Sequence, residues 1–286
     1  MTTDHVFPDA TVAAIDKIAA TPTLLVALDF DGTLSPLHDV PMEARATPSG
    51  ARAVAALAAL PHTVVALVSG RSLRDLRVIA EHEDDSPVYL AGSHGAEVRP
   101  PLGFEAVHAP EPTADTAAAV SGAADTVPMD AAAEEALRDE LYAAAVAAFE
   151  SVPGAWIEPK RFGFGVHVRL STPEDGAAVM AGTDALVAER APHWRRRTGK
   201  NIVEYAFRHE GKDTALVALR AQTGATAVLF AGDDVTDEDA LRALLPGDLG
   251  IRVGAGETVA AVRVPDPEAL AALLLLLVER RLATRP

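Results

Sequence analysis

The sequence predicts an α/β protein, a doubly wound, Rossmann-like parallel sheet with a smaller α+β domain inserted into it. Three apolar runs, Leu24–Leu28, Val64–Val68 and Ala227–Ala231, each end in small or acidic residues, as strands buried on both faces do. Helical patterns, Ser49–Leu60 and Lys212–Gln222, precede the second and third runs, which is the alternation of βαβ units. Between them the rhythm changes. Ala131–Phe149 reads as a helix, Ala155–Lys160 and Gly163–Leu170 as strands, and Glu174–Arg190 as a helix with Pro173 in its first turn. Two further strands follow, Trp194–Thr198 and Ile202–Ala206. Helix–strand–strand thus occurs twice, and we read it as a cap inserted over 103–200 into a core of 1–102 and 201–286. A loop-like stretch rich in Pro, Ala and acid, 100–128, leads into it.

Composition narrows the chemistry. The 286 residues are 49% hydrophobic and only 5% aromatic, which predicts an aliphatic, alanine-rich core. With no cysteine, disulfides, thiolate catalysis and cysteine-bound zinc are excluded, as fits a reducing cytoplasm. A net charge of −16 argues against general binding to nucleic acid or to an anionic membrane. An acidic protein that handles an anion must supply local positive charge, from a metal and a few Lys or Arg. Residues 1–8 carry no basic stretch of the secretory kind, and the apolar run Ala269–Val278 is far short of the ~20 residues of a membrane span. The expectation is a soluble, cytoplasmic protein.

In doubly wound sheets ligands bind at the carboxyl ends of the strands. Directly after the first run stands Asp29-Phe30-Asp31-Gly32-Thr33-Leu34. A bend at Gly32 lets both aspartates converge on one site. One carboxylate can attack phosphorus as a covalent nucleophile, and a second can protonate the leaving oxygen and then activate water. A turn with an aspartate N-cap would account for one of them. After the third run comes Gly232-Asp233-Asp234-Val235-Thr236-Asp237-Glu238-Asp239, whose density of carboxylates suits a hard divalent cation. An EF-hand loop fails on spacing, having no glycine at its sixth position and no glutamate at its twelfth. Ser69-Gly70-Arg71 ends the second run and offers a hydroxyl and backbone N–H groups as an anion seat, although it is also an ordinary turn and cap. Lys212 opens a helix, where the dipole disfavours a cation; that slightly favours a phosphate partner, although a lysine standing alone would be read as solvated.

In this order the segments resemble the four motifs of the haloacid dehalogenase-like superfamily. More narrowly, the chain resembles the trehalose-6-phosphate phosphatases, from about residue 22 to the C-terminal helix. That likeness is carried by Asp29 to Pro36, Gly92-Ser93-His94-Gly95-Ala96-Glu97, Glu158-Pro159-Lys160 with His167-Val168-Arg169, Glu204, and the acidic octapeptide. The octapeptide and the Glu-x-Lys…His-x-Arg pair are fairly specific, whereas Asp-x-Asp and Ser-Gly-Arg mark only the superfamily. The segment Ala206-Phe207-Arg208-His209-Glu210-Gly211-Lys212-Asp213 departs from relatives, which often have a proline after the Glu204 strand and Lys-Gly in place of Lys-Asp.

The resemblance implies a Mg2+-dependent phosphomonoesterase that hydrolyses trehalose 6-phosphate to trehalose and phosphate through a phosphoaspartate. By it, Asp29 is nucleophile and metal ligand, and Asp31 is general acid and base with its main-chain carbonyl on the metal. Asp233 completes the ligands, while Asp237, or Asp234 in its place, supports the metal. Ser69 and Lys212 hold the phosphoryl oxygens. Arg71, Glu158, Lys160, Arg169 and Glu204 bind substrate, the last four from strands of the small sheet, whose polar face could otherwise be merely solvated. His167 is as well explained by packing, His94 by support of a turn, and His193-Trp194-Arg195-Arg196-Arg197 by a solvated strand. Rival readings are a phosphatase of sucrose phosphate or glycosyl phosphoglycerate, or a non-catalytic phosphatase-like regulatory domain. With no synthase-like segment, the chain is expected to stand alone or to partner a trehalose-phosphate synthase in trans.

Overall fold

The computed structural model describes residues 7–104, 131–199 and 201–284. The chain divides into two compact units, Met1–Thr113 with Glu210–Pro286, and Ala114–His209.

The larger unit runs α1 (Asp9–Ala19), β1 (Leu24–Leu28), α2 (Pro48–Ala58), β2 (Thr63–Val68), α3 (Leu73–Ile79), β3 (Tyr89–Gly92) and β4 (Glu97–Arg99). After the second unit it resumes with α6 (Lys212–Thr223), β9 (Ala227–Gly232), α7 (Asp237–Arg242), β10 (Leu249–Val253), β11 (Val262–Val264) and α8 (Pro267–Ala283). Its sheet has the order β11-β10-β9-β1-β2-β3-β4, parallel throughout except for the antiparallel β3–β4 pair. Strand β1 is wholly buried, with Leu24, Val26 and Leu28 in one apolar cluster and Leu25 and Ala27 in another. Helices therefore cover both faces, which is why the parallel strands read as continuous apolar runs. The order reverses at β1, with β2 on one side and β9 on the other. That switch point opens a crevice at the carboxyl ends of β1, β2 and β9, where the sequence carries its acids.

The smaller unit contains α4 (Ala131–Phe149), β5 (Trp156–Lys160), β6 (Gly163–His167), α5 (Pro173–Arg190), β7 (Arg195–Gly199) and β8 (Ile202–Ala206). Its antiparallel sheet is ordered β5-β6-β8-β7, and Pro159 lies on the edge strand β5, where a missing N–H is harmless. Phe164, Val166, Val203 and Tyr205 pack into an apolar core with Leu141 and Ala145 of α4 and with Val179 and Val187 of α5. The expected helix–strand–strand repeat is present.

Several boundaries differ, two of them by more than two residues among the described residues. Strand β8 belongs to the small sheet, so the return to the larger unit comes at Glu210 rather than at 201. Strand β6 ends at His167 rather than Leu170, because Trp156, the first residue of β5, pairs with His167 and leaves Val168–Leu170 no partner on that edge. Most of the loop-like stretch 100–128 lies outside the described residues.

Candidate active site

Three carboxylates of the larger unit meet at the switch point. Oxygens of Asp29, Asp233 and Asp237 all lie within 4.8 Å of one another. Asp29 follows β1 directly and its N–H continues the ladder to the Ala231 carbonyl at 2.9 Å. Gly32, at φ +79°, lets the chain turn back beneath Asp233; a β-carbon there would lie 2.0 Å from the Asp233 Oδ2. Thr33, fully buried, reaches Asp29 Oδ2 at 3.3 Å and Asp233 Oδ1 at 3.5 Å through its hydroxyl.

Lys212 is the counter-charge. As the first residue of α6 it is buried, and its ammonium donates to Asp29 Oδ1 and to Asp237 Oδ1, each at 2.6 Å. The awkward position of a lysine at a helix N-terminus is thus explained by two carboxylates that need it. Burial alone would lower its pKa, but Asp237 and Asp29 outweigh that and hold it above the ordinary lysine value. Asp237 spends its other oxygen on the N–H groups of Asp233 and Asp234, at 3.0 and 2.9 Å. It therefore shapes the acidic loop, whereas the Asp234 side chain is not part of the carboxylate group.

One lysine does not neutralise three carboxylates. Burial, followed by the charge of Asp237, pushes Asp233 up to about 7. Burial also raises Asp29 well above the usual carboxylate range, with Asp237 and Asp233 adding to it against Lys212. Dry, mutually repelling oxygen ligands are what a divalent cation relieves, so the donor set fits a hard metal.

The octapeptide is anchored from β10. Arg252 donates to the Asp234 carbonyl at 2.8 Å and to Glu238 Oε1 at 3.3 Å, and Glu238 Oε2 accepts from the Val259 N–H at 3.0 Å. Both side chains are buried, so Glu238 holds its loop in place and is no candidate ligand.

The other expected residues of this unit fall at neighbouring strand ends. Ser69 is buried after β2, and its hydroxyl accepts from the Arg71 N–H at 3.2 Å. The Arg71 guanidinium grips Asp31 with two bonds, Nε to Oδ2 and Nη2 to Oδ1, both 2.6 Å. The Asp31 carboxylate thus faces Arg71 and lies outside the metal-type cluster.

In the smaller unit, strand register puts Trp156, Glu158 and Lys160 on one sheet face with His167 and Glu204. Glu204 pairs with Lys160, which also lies 3.6 Å from Glu158. His167 meets Glu158 at 2.8 Å and stacks on Trp156, ring centroids 4.2 Å apart and nearly parallel. Burial would raise Glu158, but the His167 bond and the Lys160 charge hold it below the usual range. Opposite Lys160 and Glu158 on this face, Gly163 and Gly165 present no side chains. Arg169, expected on a strand, is exposed in the turn after β6. Trp156 escaped the sequence reading; its signal was an aromatic two residues before the Glu-x-Lys pair, and it is 41% exposed, unusual for tryptophan.

Comparison with known proteins gives this geometry a family. A model described as trehalose-phosphatase matches residues 27–271. A trehalose-phosphate phosphatase of Mycolicibacterium paratuberculosis is 35% identical over 228 residues, 78% of this chain and 51% of that protein. The chain spans about half the length of the curated mycobacterial relatives it matches. Two solved structures share the fold. The C-terminal domain of the C. albicans trehalose-6-phosphate phosphatase has a TM-score of 0.74 at 18% identity, covering 94% of this chain and 97% of that one. A haloacid dehalogenase-like hydrolase from B. subtilis has a TM-score of 0.54 at 18% identity, covering 88% and 98%. The matched span takes in Asp29, Ser69, Lys212 and the octapeptide as well as the small sheet, and on that match the chain belongs to the trehalose-phosphatase family.

Proposed function

We propose that the chain hydrolyses trehalose 6-phosphate to trehalose and phosphate through a phosphoaspartate on Asp29, with Mg2+ as its metal. The observation that carries this reading is the buried Asp29 carboxylate, gripped by Lys212 and grouped with Asp233 and Asp237 at the switch point. Asp29 and Asp233, with the Asp31 carbonyl, would hold the cation, and Asp237 would support them. When bound, the cation supplies Lewis-acid stabilisation of negative charge on the phosphoryl oxygens.

An Asp29 oxygen attacks phosphorus, and the sugar oxygen leaves with a proton from Asp31. Asp31 then takes a proton from water, whose oxygen attacks the phosphoaspartate, releasing phosphate and restoring Asp29. Ser69 and Lys212 hold the phosphoryl oxygens throughout. Asp31 is engaged by Arg71 in the structure, so the pair has to open for proton transfer. An arriving phosphate ester offers Arg71 another anion and frees the carboxylate.

The sugar is read by the small sheet, in which Glu158, Lys160 and Glu204 offer the carboxylates and ammonium that hydroxyl groups require. Trp156, backed by His167, adds an apolar plate for a pyranose ring. Arg169 contributes a cation from the adjoining turn. Replacing Trp156 with alanine is expected to raise KM for trehalose 6-phosphate roughly ten-fold, about the effect of removing one stacked aromatic, with kcat little changed. Steady-state kinetics would read it, and an unchanged KM would remove the indole from sugar binding.

A cytoplasmic setting, with a trehalose-phosphate synthase supplying the substrate in trans, completes the reading. The test is phosphate release from trehalose 6-phosphate, glucose 6-phosphate and sucrose 6-phosphate, with Mg2+ and with chelator. Metal-dependent release favouring the trehalose ester is expected. Equal release from all three would keep the phosphatase and discard the substrate, and no release would favour a regulatory domain.

A further inference from the structure

Among the described residues, one run of consecutive residues lies at positive φ: Ser93 at 49°, His94 at 57° and Gly95 at 102°. Serine and histidine carry a β-carbon that disfavours this region, and such strain persists only where the surroundings over-determine it. Here they do. The Ser93 N–H donates to the Arg71 carbonyl at 2.6 Å, and the His94 N–H donates to the Ser69 carbonyl at 2.9 Å. The Ser93 hydroxyl donates to Glu97 Oε2 at 2.7 Å, and the same oxygen accepts from the N–H of Leu73, the first residue of α3.

The turn also touches both proposed phosphoryl-holding elements. The His94 ring lies against Gly70, where a β-carbon would come within 2.7 Å of its Cε1 and 2.8 Å of its Nε2. On the other side Gly95 rests on α6, where a β-carbon would come within 2.5 Å of the Ala215 Cβ and 3.4 Å of the Gly211 carbonyl. Gly211 is the N-cap of α6 and immediately precedes Lys212. Ser93–Gly95 is therefore wedged between the Ser69 turn and the helix start that carries Lys212.

We infer that this left-handed turn is a positioning element that sets the separation of Ser69 and Lys212, with His94 acting through Gly70. The inference rests on the reading that Ser69 and Lys212 hold the phosphoryl group. Were Ser93 and His94 to relax to the right-handed region, their N–H groups would swing away from the carbonyls of Arg71 and Ser69, and the serine turn would lose its brace. Groups that bind developing charge must be held to a fraction of an ångström, and a displacement near 1 Å can cost 10²-fold.

The test uses the whole chain with Mg2+ and reads kcat, the inhibition constant of inorganic phosphate, and the melting temperature. Gly70→Ala drives a methyl group into the His94 ring. It is expected to weaken phosphate inhibition and lower kcat by roughly 10- to 100-fold. Adding His94→Ala vacates that space and should recover most of the loss. A double variant no better than Gly70→Ala, or a lowered melting temperature with unchanged phosphate inhibition, would overturn the inference. Should Gly70→Ala not fold, Ser93→Gly and Ser93→Val are compared. Both lose the hydroxyl, but only glycine keeps a positive φ without strain, so valine should bind phosphate more weakly; equal inhibition constants would sink the idea. Ser69→Ala separates the two levels of the argument. If it leaves phosphate inhibition unchanged, the underlying seat is wrong. If it weakens inhibition while Gly70→Ala does not, the seat stands and the brace is wrong.

Discussion

Lys212→Met is expected to abolish phosphate release and also to destabilise the metal-free protein, a pairing that few active-site changes produce. The ammonium is the partner of two buried carboxylates, Asp29 and Asp237, each 2.6 Å away. Removing one side of a buried ion pair leaves uncompensated charge and costs about 3–5 kcal/mol. That corresponds to a melting temperature lower by roughly 10 °C. The sign of the metal effect follows: a divalent cation relieves the same repulsion, so Mg2+ should raise the melting temperature of the variant more than that of the parent. Scanning calorimetry with chelator and with Mg2+ tests this. A variant as stable as the parent in chelator would mean that the lysine does not neutralise the cluster.

Asp29→Asn should show the opposite stability behaviour with the same loss of function. It removes one of three crowded negative charges and leaves Lys212 paired with Asp237, so the metal-free protein should melt no lower than the parent. Turnover should nevertheless fall by roughly 10⁴-fold or more, since an amide is no nucleophile toward phosphorus. Phosphate release and a melting curve on the same preparation suffice. Retained turnover would overturn the nucleophile assignment; a collapse in melting temperature would overturn the electrostatic account of the cluster.

Asp29 and Lys212 were both legible in the sequence, but the pairing of Lys212 with Asp29 and Asp237 was not. Asp29, Ser69 and Asp233 were readable because each follows an apolar run, and a parallel sheet delivers the carboxyl ends of its strands to one edge whatever its order. The end of helix α4 at Phe149 was readable, since the stretch from Ala131 holds no breaker. Cross-strand neighbours were not. The grip of Arg71 on Asp31 joins residues 40 apart, and periodicity encodes no such pairing. Strand β10 was missed altogether, because Gly250 and Arg252 interrupt its apolar pattern; with it went the Arg252–Glu238 anchor of the acidic loop. The Trp156–His167 stack depends on the register of β5 against β6, which only the folded hairpin fixes.

Strand β1 lies beside β9 in register, Leu24 opposite Ala227, although the whole smaller unit is threaded between them in the chain. The entropy of closing so long a connection rises only logarithmically, by about 0.6 kcal/mol for each doubling of its length. The joint that unites Asp29 with Asp233 is thus nearly indifferent to how much polypeptide is spliced in before Glu210. A scaffold of this kind can exchange its inserted sheet for a larger, smaller or differently lined one while the carboxylates keep their places. Selection can then remodel which molecule is admitted without renegotiating the bond that is broken.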